Sequence, residues 1–410
     1  MSSDGRFLVF IETFFLANFD FEHSDLRLSV PFSSRGDQVI SYYSAKVLAF
    51  SIHSKAVARF GRVGLVSLVP DAETKPFEAM ISLDGEFLRR AFRSMLKARI
   101  LENKLSSLYK AGKIVGGVYL GKGQEAVSGC LGTALIQGKD CFAPLIRDQA
   151  GRTAFGEPLI DCTRTYLGSV EGPMKGRDGN IHRGRPDKGM PAMISHLGAQ
   201  VPLIAGMLFA KRLKGTLDGC VGATCLGDGA TSTGAFHEGL NLAAVEKLPM
   251  VVVIANNQFA YSTPNNRQFA CGDLVERARG YGVGGYSVDG TDLLACASVI
   301  GEAVKQARLG KGPQMVVAHL LRLSGHGEHD DGSYVPDSTR SGYYGRDCIE
   351  VAIEQLIQGQ YSTEAEIEAW REEISEEVQR AVAQAQQEAL PDPYLEDWSA
   401  LSTTFPFIPS

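Results

Sequence analysis

Two short motifs carry the residues best suited to chemistry. Gly227-Asp228-Gly229-Ala230 follows one apolar run, Cys220 to Leu226, and Asn256-Asn257 follows the next, Met250 to Ala255. A carboxylate from Asp228, an amide oxygen from Asn257 and a backbone carbonyl just beyond it are hard oxygen donors. They suit magnesium, with phosphate oxygens and water completing its octahedron. The glycines let backbone approach a diphosphate closely, and a helix starting after Gly229 offers its first amides to the same anion. A Gly-Asp-Gly triplet alone is a common turn, and an Asn pair alone a common loop. The order strand, Gly-Asp-Gly, helix, strand, Asn-Asn favours a thiamine diphosphate site over that plainer reading. No Gly-x-Gly-x-x-Gly opens a helix here, which sets aside the usual nicotinamide site.

Such motifs act only at the carboxyl ends of adjacent parallel strands, and the surrounding pattern supplies these. Helices are expected over about 201–213, 235–246 and 293–309, with strands over 220–226, 250–255, 285–288 and 314–321. This alternation reads as an α/β domain with a parallel sheet flanked by helices, a thiamine-diphosphate-binding fold. Ahead of it, Leu88, Phe92, Met95, Leu96, Ile100, Leu105 and Leu108 recur at helical spacing, a Gly-rich turn follows at 112–117, and a second helix is expected over 124–136. Residues 168–188, rich in Gly, Arg, Asp and Pro, read as loop. Thr363-x-x-Glu366 is a capping box opening a long helix through Ile367, Ile374, Val378 and Val382. The organisation expected is an N-terminal extension over 1–84, a diphosphate-binding domain over 85–345, and a helical C-terminal segment and tail over 346–410.

Composition bounds the rest. The 410 residues are 44% hydrophobic and 21% charged, enough for a large core. A net charge of −6 without long one-sign runs argues against nucleic acid or an anionic membrane as partner. Eight scattered cysteines with no Cys-x-x-Cys pair read as reduced thiols. The apolar stretch from Phe7 to Phe19 is too short to span a bilayer and lacks a basic lead. Acidic residues among the first 25 argue against a mitochondrial leader. A bacterial-type cytoplasmic location is the expectation.

From about Leu88 to Tyr344 the chain resembles the alpha subunit of the thiamine-diphosphate-dependent decarboxylase component of 2-oxo acid dehydrogenase complexes. The matching segments are Gly198-Ala199-Gln200-Val201-Pro202, Gly227-Asp228-Gly229-Ala230, Asn256 to Pro264 and Gly325-His326-Gly327-Glu328-His329-Asp330-Asp331, in the family's order. The resemblance implies magnesium held by Asp228, Asn257 and the Phe259 carbonyl, with Gly229 and Ala230 lining the diphosphate. It implies a diphosphate-binding role for Arg147 and cofactor contacts from Ser195 and Leu197. His326 matches an active-site His that orients substrate and handles protons, for which a near-neutral pKa is useful. A zinc site at His326-x-x-His329 is the weaker alternative, since no third ligand motif accompanies it. His182 matches a further loop near the cofactor, whereas His196 and His237 are read as structural. The chain departs from the family at Ile146, where a Tyr is usual, and at Gly327, where animal members carry a phosphorylated Ser.

One requirement is missing. Thiamine chemistry needs a carboxylate against the pyrimidine ring, and no segment here has the context for it. The resemblance implies a beta subunit that supplies it, in an assembly of two alpha and two beta chains, with a lipoylated acyltransferase as the acyl acceptor. The activity implied is oxidative decarboxylation of a small 2-oxo acid, pyruvate or a branched-chain acid, with acyl transfer to lipoyl. The alternatives are an acetoin dehydrogenase alpha subunit and a non-catalytic assembly subunit retaining the fold.

Overall fold

The computed structural model describes residues 67–68, 84–179 and 181–396. The rest of the N-terminal extension and the end of the tail lie outside the described residues. Six strands form the main sheet, in the order β1-β7-β8-β4-β3-β2. These are β1 (Ser67–Leu68), β2 (Cys141–Ala143), β3 (Gly222–Gly227), β4 (Met250–Asn256), β7 (Gly284–Asp289) and β8 (Gln314–His319). Five run parallel, and β1 pairs antiparallel with β7 at one edge. The small hairpin β5 (Phe259–Ala260) and β6 (Thr263–Pro264) stands apart.

The central strands are continuous apolar runs because both faces are covered. Along β4, Val251, Val253 and Ala255 enter one core, while Met250, Val252 and Ile254 enter the other. This alternation is the two-residue period of a strand read from both sides. The first core lies under α1 (Gly85–Lys110), α2 (Glu125–Ala134) and α8 (Leu293–Arg308). The second lies under α5 (Gln200–Leu213), α6 (Gly234–Val245) and α7 (Glu276–Tyr281). Short helices α3 (Gln149–Ala154) and α4 (Leu159–Leu167) lead from β2 into the loop over 168–188. Among its described residues that loop holds one 3-10 turn, Pro186–Lys188.

Register decides where the site forms. Gly227 pairs with Ala255, and Asn256 pairs with His319. Asp228 and Asn257 therefore leave the sheet at nearly the same level. The helix expected over 235–246 forms as α6, within a residue of its expected ends, and the amides beside Gly229 belong to a separate turn. Asp228–Ser232 is a 3-10 turn, and α6 begins at Gly234 because Thr233 caps it, accepting from the Phe236 amide. The strand expected to 321 ends at His319. The Leu320 amide makes one last ladder bond to the Asn256 carbonyl, after which the amides of Leu321 and Leu323 bond to the Tyr344 and Lys122 carbonyls outside the sheet.

At the C-terminus, after the short α9 (Asp337–Arg340), α10 (Cys348–Gln358) and α11 (Glu364–Gln387) pack into the first core through Cys348, Ile349, Ile367, Ile374 and Val378. Trp370 meets Phe92 with ring centres 6.3 Å apart. The capping box is formed: Thr363 accepts from the Glu366 amide, and the Glu366 carboxylate accepts from the Thr363 amide. Among the described residues no helix is long and apolar enough to cross a membrane. All eight cysteines are free thiols. Loss of one such cap costs about 1 kcal/mol, while emptying a buried leucine site costs about 2–5 kcal/mol. Urea denaturation is therefore expected to rank Thr363→Ala as mild and Leu131→Ala, in the core where α2 packs on α1, α3 and α8, as severe.

Candidate active site

A cavity of about 590 Å³ opens beyond the carboxyl ends of β3 and β4. Its walls include Arg147, Ser195, Leu197, Asp228, Gly229, Ala230, Asn257, Phe259 and His326, every site residue expected from the sequence, together with Ile146 and His182. His196 and His237 do not line it; His237 instead hydrogen-bonds the Tyr281 hydroxyl between α6 and α7.

Asp228 and Asn257 are buried. The Asn257 amide oxygen faces Asp228 Oδ1 at 3.2 Å and the Phe259 carbonyl oxygen at 3.1 Å. No hydrogen lies between these three oxygens in that orientation. Turning the amide over would let its nitrogen donate to both neighbours. With the oxygen inward, the Asn257 nitrogen points to Gln124 Oε1 at 3.3 Å. Adjacent ligands of a magnesium ion bonded at 2.0–2.1 Å stand about 2.9 Å apart, so the three oxygens suit a small hard cation in type and spacing. Gln268 donates to the other Asp228 oxygen at 2.6 Å, and burial pushes the Asp228 carboxyl above its usual range. A cation would reverse that shift.

Gly229 is required by close approach. A Cβ there would lie 2.5 Å from the Ala260 Cβ. The hairpin after Asn257 is tight, with Gln258 at φ 75° and Tyr261 at φ 54°, both in the left-handed region. Arg322 secures it: Nη1 donates to the Phe259 carbonyl at 3.2 Å, and Nη2 to the Tyr261 carbonyl at 3.0 Å. Sequence reasoning missed this buried residue. Its one signal was a lone Arg inside the apolar run Leu320 to Leu323.

Arg147 follows β2 by four residues and reaches across the cavity mouth. Its Nη1 donates to the Leu120 carbonyl at 2.8 Å and its Nη2 to the His326 carbonyl at 2.6 Å. Burial and the nearby Arg322 charge push the Arg147 guanidinium down to about 10. It remains a cation at neutral pH. Gly121 makes this approach possible, since a Cβ there would stand 2.1 Å from the Arg147 carbonyl oxygen. Both carboxylate oxygens of buried Glu102 accept from the Gly121 amide, at 3.0 and 2.9 Å. Burial, then the neighbouring Glu125 charge, pushes Glu102 up to about 8. Asp148, beside Arg147, is pushed up to about 6 by burial. Neither Glu102 nor Gln124 was expected from sequence.

His326 stands between Tyr261, ring centres 4.5 Å apart, and Tyr119, 5.4 Å away. Arg147 Nη2 lies 3.3 Å from His326 Nδ1. A ring nitrogen accepting from a guanidinium carries no proton, so the neutral ring is the Nε2–H tautomer. Burial, then the charges of Arg147 and Arg322, pushes His326 down to about 4. The near-neutral value expected from sequence does not hold for this state, because the ring is desolvated and two guanidinium groups face it. An anion bound to those groups would cancel the field that depresses it. Asp330 is committed to shaping the loop: it accepts from the His326 amide, the Gly332 amide and the Tyr334 hydroxyl. Among the described residues no His, Cys, Asp and Glu cluster suited to a metal is present. The His326 and His329 zinc alternative therefore finds no ligand set.

Across one wall the cavity is apolar. Ile146, Ile181, Met193 and Leu197 line it, and Leu197 is 56% exposed despite its apolar side chain. Solvent-facing apolar surface beside a cationic and oxygen-rich floor matches a ligand with an anionic end and a flat, less polar body.

Comparison with known proteins agrees with this geometry. The family model for the dehydrogenase E1 component matches residues 92–394. The alpha subunit of acetoin:2,6-dichlorophenolindophenol oxidoreductase from Cupriavidus necator is 34% identical over 323 residues, covering 78% of this chain and 95% of the relative. The pyruvate dehydrogenase E1 component alpha subunit of Rhizobium meliloti is 33% identical over 305 residues, covering 74% and 86%. That of Zymomonas mobilis is 34% identical over 269 residues, covering 65% and 75%. The chain belongs to the dehydrogenase E1 component family, whose members depend on thiamine diphosphate.

Proposed function

We propose that this chain is the alpha subunit of a 2-oxo acid dehydrogenase decarboxylase component, acting on pyruvate or a branched-chain 2-oxo acid and passing the acyl group to lipoyl. The carrying observation is the convergence of the Asp228 carboxylate and the Phe259 carbonyl within 3.2 Å of the Asn257 amide, in one cavity with Arg147 and His326. Thiamine diphosphate, when bound, supplies the electron sink that decarboxylation requires. The residues of this chain bind and orient. Asp228, Asn257 and the Phe259 carbonyl would hold magnesium. The free guanidinium donors of Arg147 and the amides at Gly229 and Ala230 would take diphosphate oxygens. His326 would present its Nε2–H to the substrate and serve as the proton carrier at the cavity mouth.

The partners follow from what the chain lacks. The described residues bring no carboxylate into the cavity beyond Asp228 and Asp148, both buried at its base. A beta subunit would supply the pyrimidine-facing glutamate, and a lipoylated acyltransferase would accept the acyl group. The relative named for acetoin covers as much of this chain as those named for pyruvate, so acetoin is the second reading. The deciding experiment is carbon dioxide release from labelled pyruvate and 3-methyl-2-oxobutanoate by the chain co-expressed with its beta partner. Cofactor-dependent release from one acid supports the decarboxylase. Its absence in a complex that binds cofactor, with turnover of acetoin, selects the second reading.

Three further outcomes are expected. Asp228→Ala abolishes magnesium-dependent thiamine diphosphate binding measured by calorimetry; retained binding would remove Asp228 from the metal site. His326→Ala leaves that affinity within a few-fold of wild type but lowers acyl transfer to a lipoyl domain by about 100-fold or more, the range expected for a lost acid–base group. The His326 ring also sets a pH dependence. Its folded value near 4 lies below the ordinary 6.5, so between these the unfolded chain binds the extra proton. The stability it contributes is present above about pH 6.5 and is lost as pH falls towards 4. Thermal melts of cofactor-free protein should show a shallower acid-side decline in His326→Gln than in wild type.

A further inference from the structure

One side of the cavity is made by a segment with almost no regular structure. The described residues of 168–199 contain the 3-10 turn Pro186–Lys188 and one isolated bridge, Arg185 with Met190. Yet this segment supplies Ile181, His182, Met193, Ile194, Ser195 and Leu197 to the cavity wall. No helix or sheet ladder fixes these positions, so isolated backbone bonds and side-chain contacts must.

They meet at Arg183, next in the chain to His182. Its Nε donates to Glu157 Oε1 at 3.0 Å, and its Nη2 to Glu157 Oε2 at 3.0 Å and to Gln149 Oε1 at 2.7 Å. Arg152 donates to the same Glu157 at 3.1 Å and to the Arg183 carbonyl at 3.4 Å. That carbonyl also accepts from the Met193 amide at 3.3 Å. One residue thus joins both wall-forming stretches, 181–182 and 193–195, to α3. Helix α3 begins two residues after Arg147, so the same contacts set the loop against the cationic floor of the cavity.

All four side chains are buried: Arg152 is 1% exposed, Glu157 and Arg183 3%, and Gln149 4%. Burying a charge cluster is a poor way to gain stability, since well-packed apolar residues commonly do as well or better. What a bidentate, fully enclosed pair does provide is a fixed angle and distance. We propose that Arg183, clamped by Glu157 and Gln149, is a positioning residue that holds His182 and the 193–195 stretch in register with Arg147 for cofactor binding. The inference rests on the thiamine diphosphate reading of this cavity.

The test is a double-mutant cycle in the chain assembled with its beta partner, using Arg183→Lys, His182→Ala and the double variant. Magnesium and thiamine diphosphate binding is measured by calorimetry, and folding by thermal melting. Arg183→Lys keeps the charge but loses the fork. It should weaken binding about 10-fold or more. The double variant should bind no worse than the weaker single, because both changes remove one arrangement. Wild-type affinity in Arg183→Lys, or losses that multiply, would overturn the proposal. If Arg183→Lys does not fold, Gln149→Leu removes the 2.7 Å contact without stranding a charge, and the same coupling with His182→Ala is required of it. A wild-type complex that binds no thiamine diphosphate would instead remove the reading of the cavity, and the proposal with it.

Discussion

The site is organised around one contact, the Asn257 amide held within 3.2 Å of both the Asp228 carboxylate and the Phe259 carbonyl. Each of the three is secured from its outer side. Gln268 donates to the far oxygen of Asp228, Arg322 donates to the Phe259 carbonyl, and Gln124 stands beside the Asn257 amide. Turned nitrogen inward the amide bridges its two neighbours, and turned oxygen inward it completes a set of three hard donors for a cation. This arrangement depends on β3 and β4 ending level, which depends in turn on the parallel register of Gly227 with Ala255. A slip of one residue would exchange the two faces of β4 and carry Asn257 away from Asp228.

Behind the oxygens lies a second layer of buried charge. Arg99 on α1 pairs with Glu125 at the start of α2 and with Asp347 at the start of α10. Glu125 accepts from the Gly123 amide at 2.7 Å, beside Glu102 on the Gly121 amide. The turn from Gly121 to Gly123 is therefore held by carboxylates from two helices, and Arg147 rests against it. The long first helix and the C-terminal helices, remote from the cavity in sequence, shape it through these contacts. The Arg183 clamp gives the irregular loop a comparable anchor.

Much of this was legible in the sequence. The apolar runs gave strands whose ends differ from the observed ones by one or two residues, and the motifs following them brought every expected residue to one cavity. The capping box at Thr363 formed as its spacing required. What was not legible shares a cause. Arg322, Gln124, Glu102 and Arg183 act through contacts to backbone or to each other across long separations, and no local period or spacing encodes such contacts. The 3-10 turn over Asp228–Ser232 has no periodic signal of its own, whereas the helix after it starts within one residue of its expected position because Thr233 caps it. The low His326 value was missed because it depends on the burial of the ring and on where two arginines stand, which only the folded chain decides.

On its β2 side the sheet ends on a strand of three residues. Edge strands of ordinary length offer a row of free amides and carbonyls on which another chain can build, the usual start of aggregation. A three-residue edge presents little main-chain template. On that side the choice of a second chain would fall to the side chains of helices and loops, which discriminate between partners as bare backbone does not.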